Sequence, residues 1–69
     1  MAVTRDDLKG WLGSGWTVRT SPVARTDWRK AGHSAEWLCQ RARLGWHYVY
    51  EEASASVPDV VDVYLARRL

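Results

Sequence analysis

Phenylalanine, isoleucine and asparagine are missing from the 69 residues, cysteine occurs once, and proline and lysine occur twice each. Each shortage excludes something. A lone Cys39 closes no internal disulfide, so a chain this small points to a reducing cytoplasm. His33, Cys39 and His47 stand six and eight residues apart with no Cys-x-x-Cys, which excludes a structural zinc site. No metal or other cofactor is expected. No apolar run approaches the roughly 20 residues of a membrane span, so no membrane contact is expected either. The opening Met1–Asp7 carries acid where a signal peptide carries base. Gly10, Gly13 and Gly15 lack the Lys-Ser/Thr ending of a phosphate-cradling loop. Eight Arg against two Lys are the habit of an actinobacterial or phage genome rich in GC, and they say nothing about mechanism.

What is present is aromatic. Trp11, Trp16, Trp28, Trp37, Trp46, Tyr48, Tyr50 and Tyr64 serve a single domain, residues 1–69. So short a chain buries only about 60% of its unfolded surface. The expectation is therefore a Trp-rich core, with one or two indoles left to face a partner. The same shortage of buried surface leaves a homodimer open.

The periodicities predict an α+β fold of three short helices packed on a small antiparallel sheet of two or three strands. Thr4 and Asp7 form an acidic capping box, and Val3 and Leu8 a hydrophobic staple. They predict a helix over 5–12 with Leu8, Trp11 and Leu12 on one face, stopped at Gly13. Residues 15–20 alternate as a strand. Ser21-Pro22 suggests a turn, after which 23–29 returns as a second hairpin strand or begins a helix at Thr26 or Asp27. The hairpin is slightly favoured, and Gly32 ends either. Ser34, Glu36 and Gly45 bound a second helix whose stripe is Ala35, Leu38, Cys39 and Ala42, flanked by Trp37 and Leu44. Residues 46–51 alternate with three aromatics on one face. Ser56, Pro58 and Asp59 then predict a third helix bearing Val57, Val60, Val61, Tyr64 and Leu65, with Arg67-Arg68 at its negative end. A strand is the lesser reading there. A capped helix leading through Gly-Trp to a strand occurs twice, at Gly15-Trp16 and Gly45-Trp46, by coincidence or by duplication.

No catalytic constellation emerges, so an enzyme is not expected. Cys39 falls on the apolar stripe, where burial is its ordinary fate. Asp6-Asp7 and Glu51-Glu52 are adjacent, so their side chains diverge and read as cap and solubility groups. A net charge of +2 is too small to imply nucleic acid by itself. Its distribution says more: residues 1–32 carry six basic and three acidic groups, and residues 51–69 two basic and four acidic. Arg19, Arg25, Arg29 and Lys30, interleaved with Thr17, Thr20, Ser21, Thr26 and Trp28, form a basic ribbon if 16–29 is a hairpin. The ordinary reading of such a ribbon is a solvated surface. Arg41 and Arg43 either extend it or cover Trp37 and Trp46 by stacking. The leading expectation is a non-catalytic cytoplasmic module, a nucleic-acid-binding or regulatory protein. The alternative is a small protein-binding factor, an inhibitor or adaptor from a phage or mobile element, that presents an exposed Trp such as Trp28 to a host protein.

Glu36-Trp37, Gly45, Val57-Pro58 and Tyr64 resemble the C-terminal DNA-binding domain of actinobacterial xenogeneic silencers. Ser54-Ala55-Ser56 stands where that family carries a groove-inserting Arg-Gly-Arg. The resemblance spans about half the chain and implies a helix–loop–helix at most, and the family's DNA-contacting residues do not carry over.

Overall fold

A computed structural model describes residues 3–29 and 33–69. The order of elements is α1 (Arg5–Leu12), β1 (Trp16–Ala24), α2 (Arg25–Arg29), α3 (His33–Arg43), β2 (His47–Ala53) and β3 (Val60–Arg68). Lys30 and Gly32 lie outside the described residues, as do the side chains of Arg29, His33, Ser34 and Ala35. Among the described residues three helices accompany one antiparallel sheet of order β1-β3-β2, so the α+β class holds.

The last strand in the chain is the middle strand in space. The helix expected from Ser56 onward is not there. Ser54 Oγ accepts from the Val57 amide at 3.1 Å and closes a short turn. Asp59 takes a left-handed φ of 60°, which a short polar side chain tolerates better than most. Val60–Arg68 then runs extended between two partners. Val60-Val61-Asp62-Val63-Tyr64-Leu65-Ala66 is a near-continuous apolar run, as a strand covered on both faces requires. Its β-branched residues suit a pleat and resist a helix. The helix–loop–helix implied by the silencer resemblance goes with it, since Tyr64 sits on a strand.

The register sorts side chains between two faces. Trp16, Val18 and Thr20 of β1, Asp62, Tyr64 and Ala66 of β3, and His47, Tyr50 and Glu52 of β2 share the first face. Thr17, Arg19 and Val23, Val61, Val63, Leu65 and Arg67, and Tyr48 and Glu51 share the second. A register shift between Tyr48 and Tyr50 makes this so. The three aromatics of 46–50 were expected on one face, but the irregularity sends Tyr50 to the first and leaves Tyr48 on the second.

Each face receives one helical layer. On the second, Trp28 of α2 and Trp37 and Leu38 of α3 pack with Val23 and Trp46 against Val61, Val63 and Leu65. On the first, the start of α1 is tied to Glu52 and Tyr64 through Val3, and Leu8 is buried. α1 keeps its expected bounds and capping box: the Asp7 amide donates to Thr4 Oγ1 at 3.1 Å, and the Thr4 amide to Asp7 Oδ2 at 3.0 Å. Gly13 ends it at φ 99°, where a Cβ would be strained.

Three expectations are overturned here. Ser21-Pro22 is no turn, because β1 runs straight through it. Pro22 lies on an edge strand, where its missing N–H costs no ladder bond on the outer side. Residues 25–29 are helical, so the 16–29 hairpin does not exist. Nor is the core Trp-rich. Among the described residues the buried ones are Leu8, Val61, Val63, Tyr64, Leu65 and Ala66; Trp11 is 72% exposed and the other four indoles are half-buried. The Cα trace spans 34 × 30 × 12 Å along its principal axes, and the molecule exposes 4912 Å², against about 4,400 Å² for a compact chain of its mass. A slab this thin has room at its centre for one strand of aliphatic side chains, and wide indoles fall toward the rims.

The stripe on α3 is likewise rotated from the expected one. Cys39 and Ala42 are exposed, while Trp37, Leu38 and Arg41 are half-buried. Burial follows the larger apolar surfaces, and an indole outweighs a methyl group or a thiol.

Candidate nucleic-acid interface

Two strands begin and one ends at the same edge of the slab, where β3 finishes between the starts of β1 and β2. Local signals place the side chains there. α3 closes with a Schellman arrangement: the Trp46 amide donates to the Arg41 carbonyl at 2.9 Å and the Gly45 amide to Ala42 at 3.0 Å, with Gly45 at φ 87°. This delivers Trp46 to the second face at the mouth of β2. Gly13-Ser14-Gly15 delivers Trp16 to the first face at the mouth of β1.

The last two basic residues of β3 then diverge, because neighbouring strand residues point to opposite faces. Arg67 lies 6.0 Å from the centre of the Trp46 ring, and Arg68 lies 5.7 Å from that of Trp16. Arg19 approaches the same Trp46 ring at 5.2 Å. The Arg67 stem also rests on Gly45, whose missing side chain leaves it room. Further along α3, Arg41 stacks over Trp37 at 4.7 Å. A guanidinium held against an indole loses less freedom when it meets an anion.

Around these pairs the side-chain charge is of one sign. The last turn of α1 adds Lys9, and the last turn of α3 adds Arg43 beside Arg41. Lys9, Arg19, Arg41, Arg43, Arg67 and Arg68 all belong to this end. The acids belong to the other half. Glu51, Glu52, Asp59 and Asp62 sit where β2 ends and β3 starts; Asp6, Asp7 and Glu36 sit in the first turns of their helices, and Asp27 in α2. Polarity along the sheet, rather than between the halves of the chain, is the true division of charge.

The residues first suggested as a ribbon are dispersed. Arg19 is exposed near the start of β1, whereas Arg25 begins α2 beyond its far end, about 20 Å away along an extended chain. The Arg25 amide donates to the Asp59 carbonyl at 2.8 Å, and its Nε is buried without a hydrogen-bond partner among the described residues. Trp28 is half-buried; its indole N–H donates to Glu51, and its ring stacks on Tyr48 and meets Trp37 edge-on. Lys30 and the Arg29 side chain lie outside the described residues. Of the candidates, Arg19, Arg41 and Arg43 come together. Arg67, Arg68, Trp16 and Trp46 were missed. Their signal was the pair of Gly-Trp strand starts together with an Arg-Arg ending on an apolar, β-branched run.

Two tyrosines, Tyr48 near the start of β2 and Tyr64 at the middle of β3, have raised pKa values. Burial is the larger cause for each, followed by the hydrogen bond to Glu51 for Tyr48 and to Glu52 for Tyr64. Among the described residues no cluster of three His, Cys, Asp or Glu side chains could hold a metal ion, and no helix is long and apolar enough to cross a membrane. Comparison with family models, curated proteins and solved structures returns no match.

Proposed function

We propose that this chain is a non-catalytic nucleic-acid-binding module of the cytoplasm, and that it binds through the Arg–Trp end of its sheet. One observation carries the reading: Arg67 and Arg68, adjacent in β3, lie over Trp46 and Trp16 on opposite faces of one sheet end, among four further cations. Phosphates are met by guanidinium forks, and a polyanion is drawn to a one-signed surface. A small net charge is no obstacle, because +2 is the sum of two oppositely charged ends.

Fluorescence anisotropy with a labelled oligonucleotide, repeated across a salt series, tests it. Binding is expected to weaken steeply with salt, by roughly 0.7–0.9 log units per tenfold salt for each phosphate contacted. Arg67→Glu/Arg68→Glu is expected to lower affinity at least tenfold, while Arg25→Glu leaves it nearly unchanged. Equal loss from both variants, or a flat salt response, rejects the assignment.

A second reading rests on Trp11, which is 72% exposed on α1. A protein partner with a pocket for that indole is the alternative, and its affinity would barely respond to salt.

A further inference from the structure

The exposed Trp11 need not be divided from the cationic end, because it belongs to it. Trp11 occupies the last turn of α1, just before Gly13-Ser14-Gly15 leads into Trp16. Leu69, 81% exposed, is drawn to the same corner by its amide, which donates to the Gly15 carbonyl at 2.8 Å. Leu44, 65% exposed, closes α3 beside Trp46. The cations therefore share their end of the slab with an open indole and two open leucines.

We infer that the nucleic acid taken at this end is single-stranded, with unpaired bases stacking on Trp11 while the arginines hold the phosphates. The inference rests on the function proposed above and narrows it. A duplex turns its phosphates outward and its base faces inward, so it has nothing to lay on a solvent-facing indole. A single strand offers a π face at every nucleotide.

The helices argue the same way. Reading a duplex groove calls for a helix lying in it with several side chains reaching the base edges. The outer side of α3 shows Glu36, Cys39, Gln40 and Arg43, one acid against one base. That surface has no net attraction for a groove walled by phosphates. α1 and α3 also both aim their C-terminal ends at the cationic end, so no helix N-terminus is available there to cradle a phosphate. Attraction at this end comes from side chains alone, arranged around aromatic rings.

The test compares an oligothymidylate of about 12 nucleotides, within the site sizes of small single-strand binders, with a duplex of equal length. Anisotropy and intrinsic tryptophan fluorescence are read together on the full chain. The single strand is expected to bind at least tenfold more tightly and to quench the indole emission. Trp11→Ala is expected to weaken single-strand binding by about 5- to 100-fold without altering duplex binding, and Trp11→Tyr to restore most of it. Equal or tighter duplex binding, or an unaltered Trp11→Ala variant, overturns the single-strand inference and leaves the nucleic-acid reading standing. Failure of both nucleic acids to bind, above all with capture on phosphatidylserine vesicles instead, overturns both proposals.

Discussion

Glu51 and Glu52 are neighbours in β2, yet their carboxylates fasten opposite layers of the molecule. Glu51 accepts from the Trp28 indole and from the Tyr48 hydroxyl at 3.0 Å, which pins α2 to the second face. Glu52 accepts from the Tyr64 hydroxyl at 3.0 Å and from the Val3 amide at 3.4 Å, which pins the start of α1 to the first. The divergence expected of an adjacent pair is present, but the pair does more than keep the surface soluble. Glu51 holds one donor from α2 and one from its own strand, while Glu52 holds one from β3 and one from the residue before the α1 cap.

Removing each carboxylate should therefore loosen a different layer. Glu51→Ala and Glu52→Ala are each expected to cost about 1–2 kcal/mol, modest for a charged acceptor because the groups are half-exposed. Hydrogen exchange should rise in α2 for the first variant and in α1 for the second. The same exchange pattern in both variants contradicts the assignment.

Alkaline pH should weaken the fold through Tyr48 and Tyr64. Burial and then the neighbouring carboxylate raise both above the unfolded value of about 10. A group that holds its proton more tightly when folded contributes fully below its unfolded pKa, and that contribution fades as pH climbs through the folded one. Stability to urea is thus expected to be insensitive to these two groups up to about pH 10 and to fall beyond it. Tyr48→Phe/Tyr64→Phe should flatten the alkaline limb; an unchanged limb argues against the two hydroxyls as its source.

Leu65 is fully buried at the middle of the central strand. Leu65→Ala is expected to cost about 2–5 kcal/mol, comparable with all that so small a core supplies. The variant should lose cooperative thermal unfolding by circular dichroism, whereas Leu69→Ala, at an 81% exposed site, should keep it.

At the N-terminal helix the cap is a local matter. Thr4→Ala removes the side chain that accepts from the Asp7 amide and should cost about 1 kcal/mol. Thr4→Ser, which keeps the hydroxyl, should recover nearly all of it in urea denaturation.

Arg25 offers a sharper contrast between the two ends of the molecule. Its Nε is buried and has no partner among the described residues, so Arg25→Met keeps an apolar stem and removes a desolvated polar atom. Stability is expected to hold or rise, by up to about 1 kcal/mol, with no change in oligonucleotide affinity. A marked loss of either makes Arg25 a working residue.

Local chemistry was the part of this fold legible in the residues. The Thr4–Asp7 box and Gly13 bound α1 as expected, Gly45 ends α3, and both Gly-Trp pairs lead from a helix into a strand. Those signals act within a few residues of themselves, so neighbours in the chain suffice to read them. The repeated unit has a spatial counterpart. β1 and β2 run in the same direction on either side of β3, one preceded by a helix on the first face and the other by a helix on the second.

Tertiary structure decided what the far end of the chain became and where the charge gathered. Val57–Leu65 carries a helical stripe and a strand-like apolar run at once, and propensity alone does not choose between them. Two waiting edges did, since a strand between β1 and β2 satisfies its backbone on both sides and buries both of its faces. That choice carried Arg67 and Arg68 away from a helix terminus and set them over Trp46 and Trp16. Arg19 and Arg25 are close in sequence and were parted because extended backbone separates residues by about 3.3 Å each. Pairing between distant strands is a long-range event, and no window of neighbouring residues contains it.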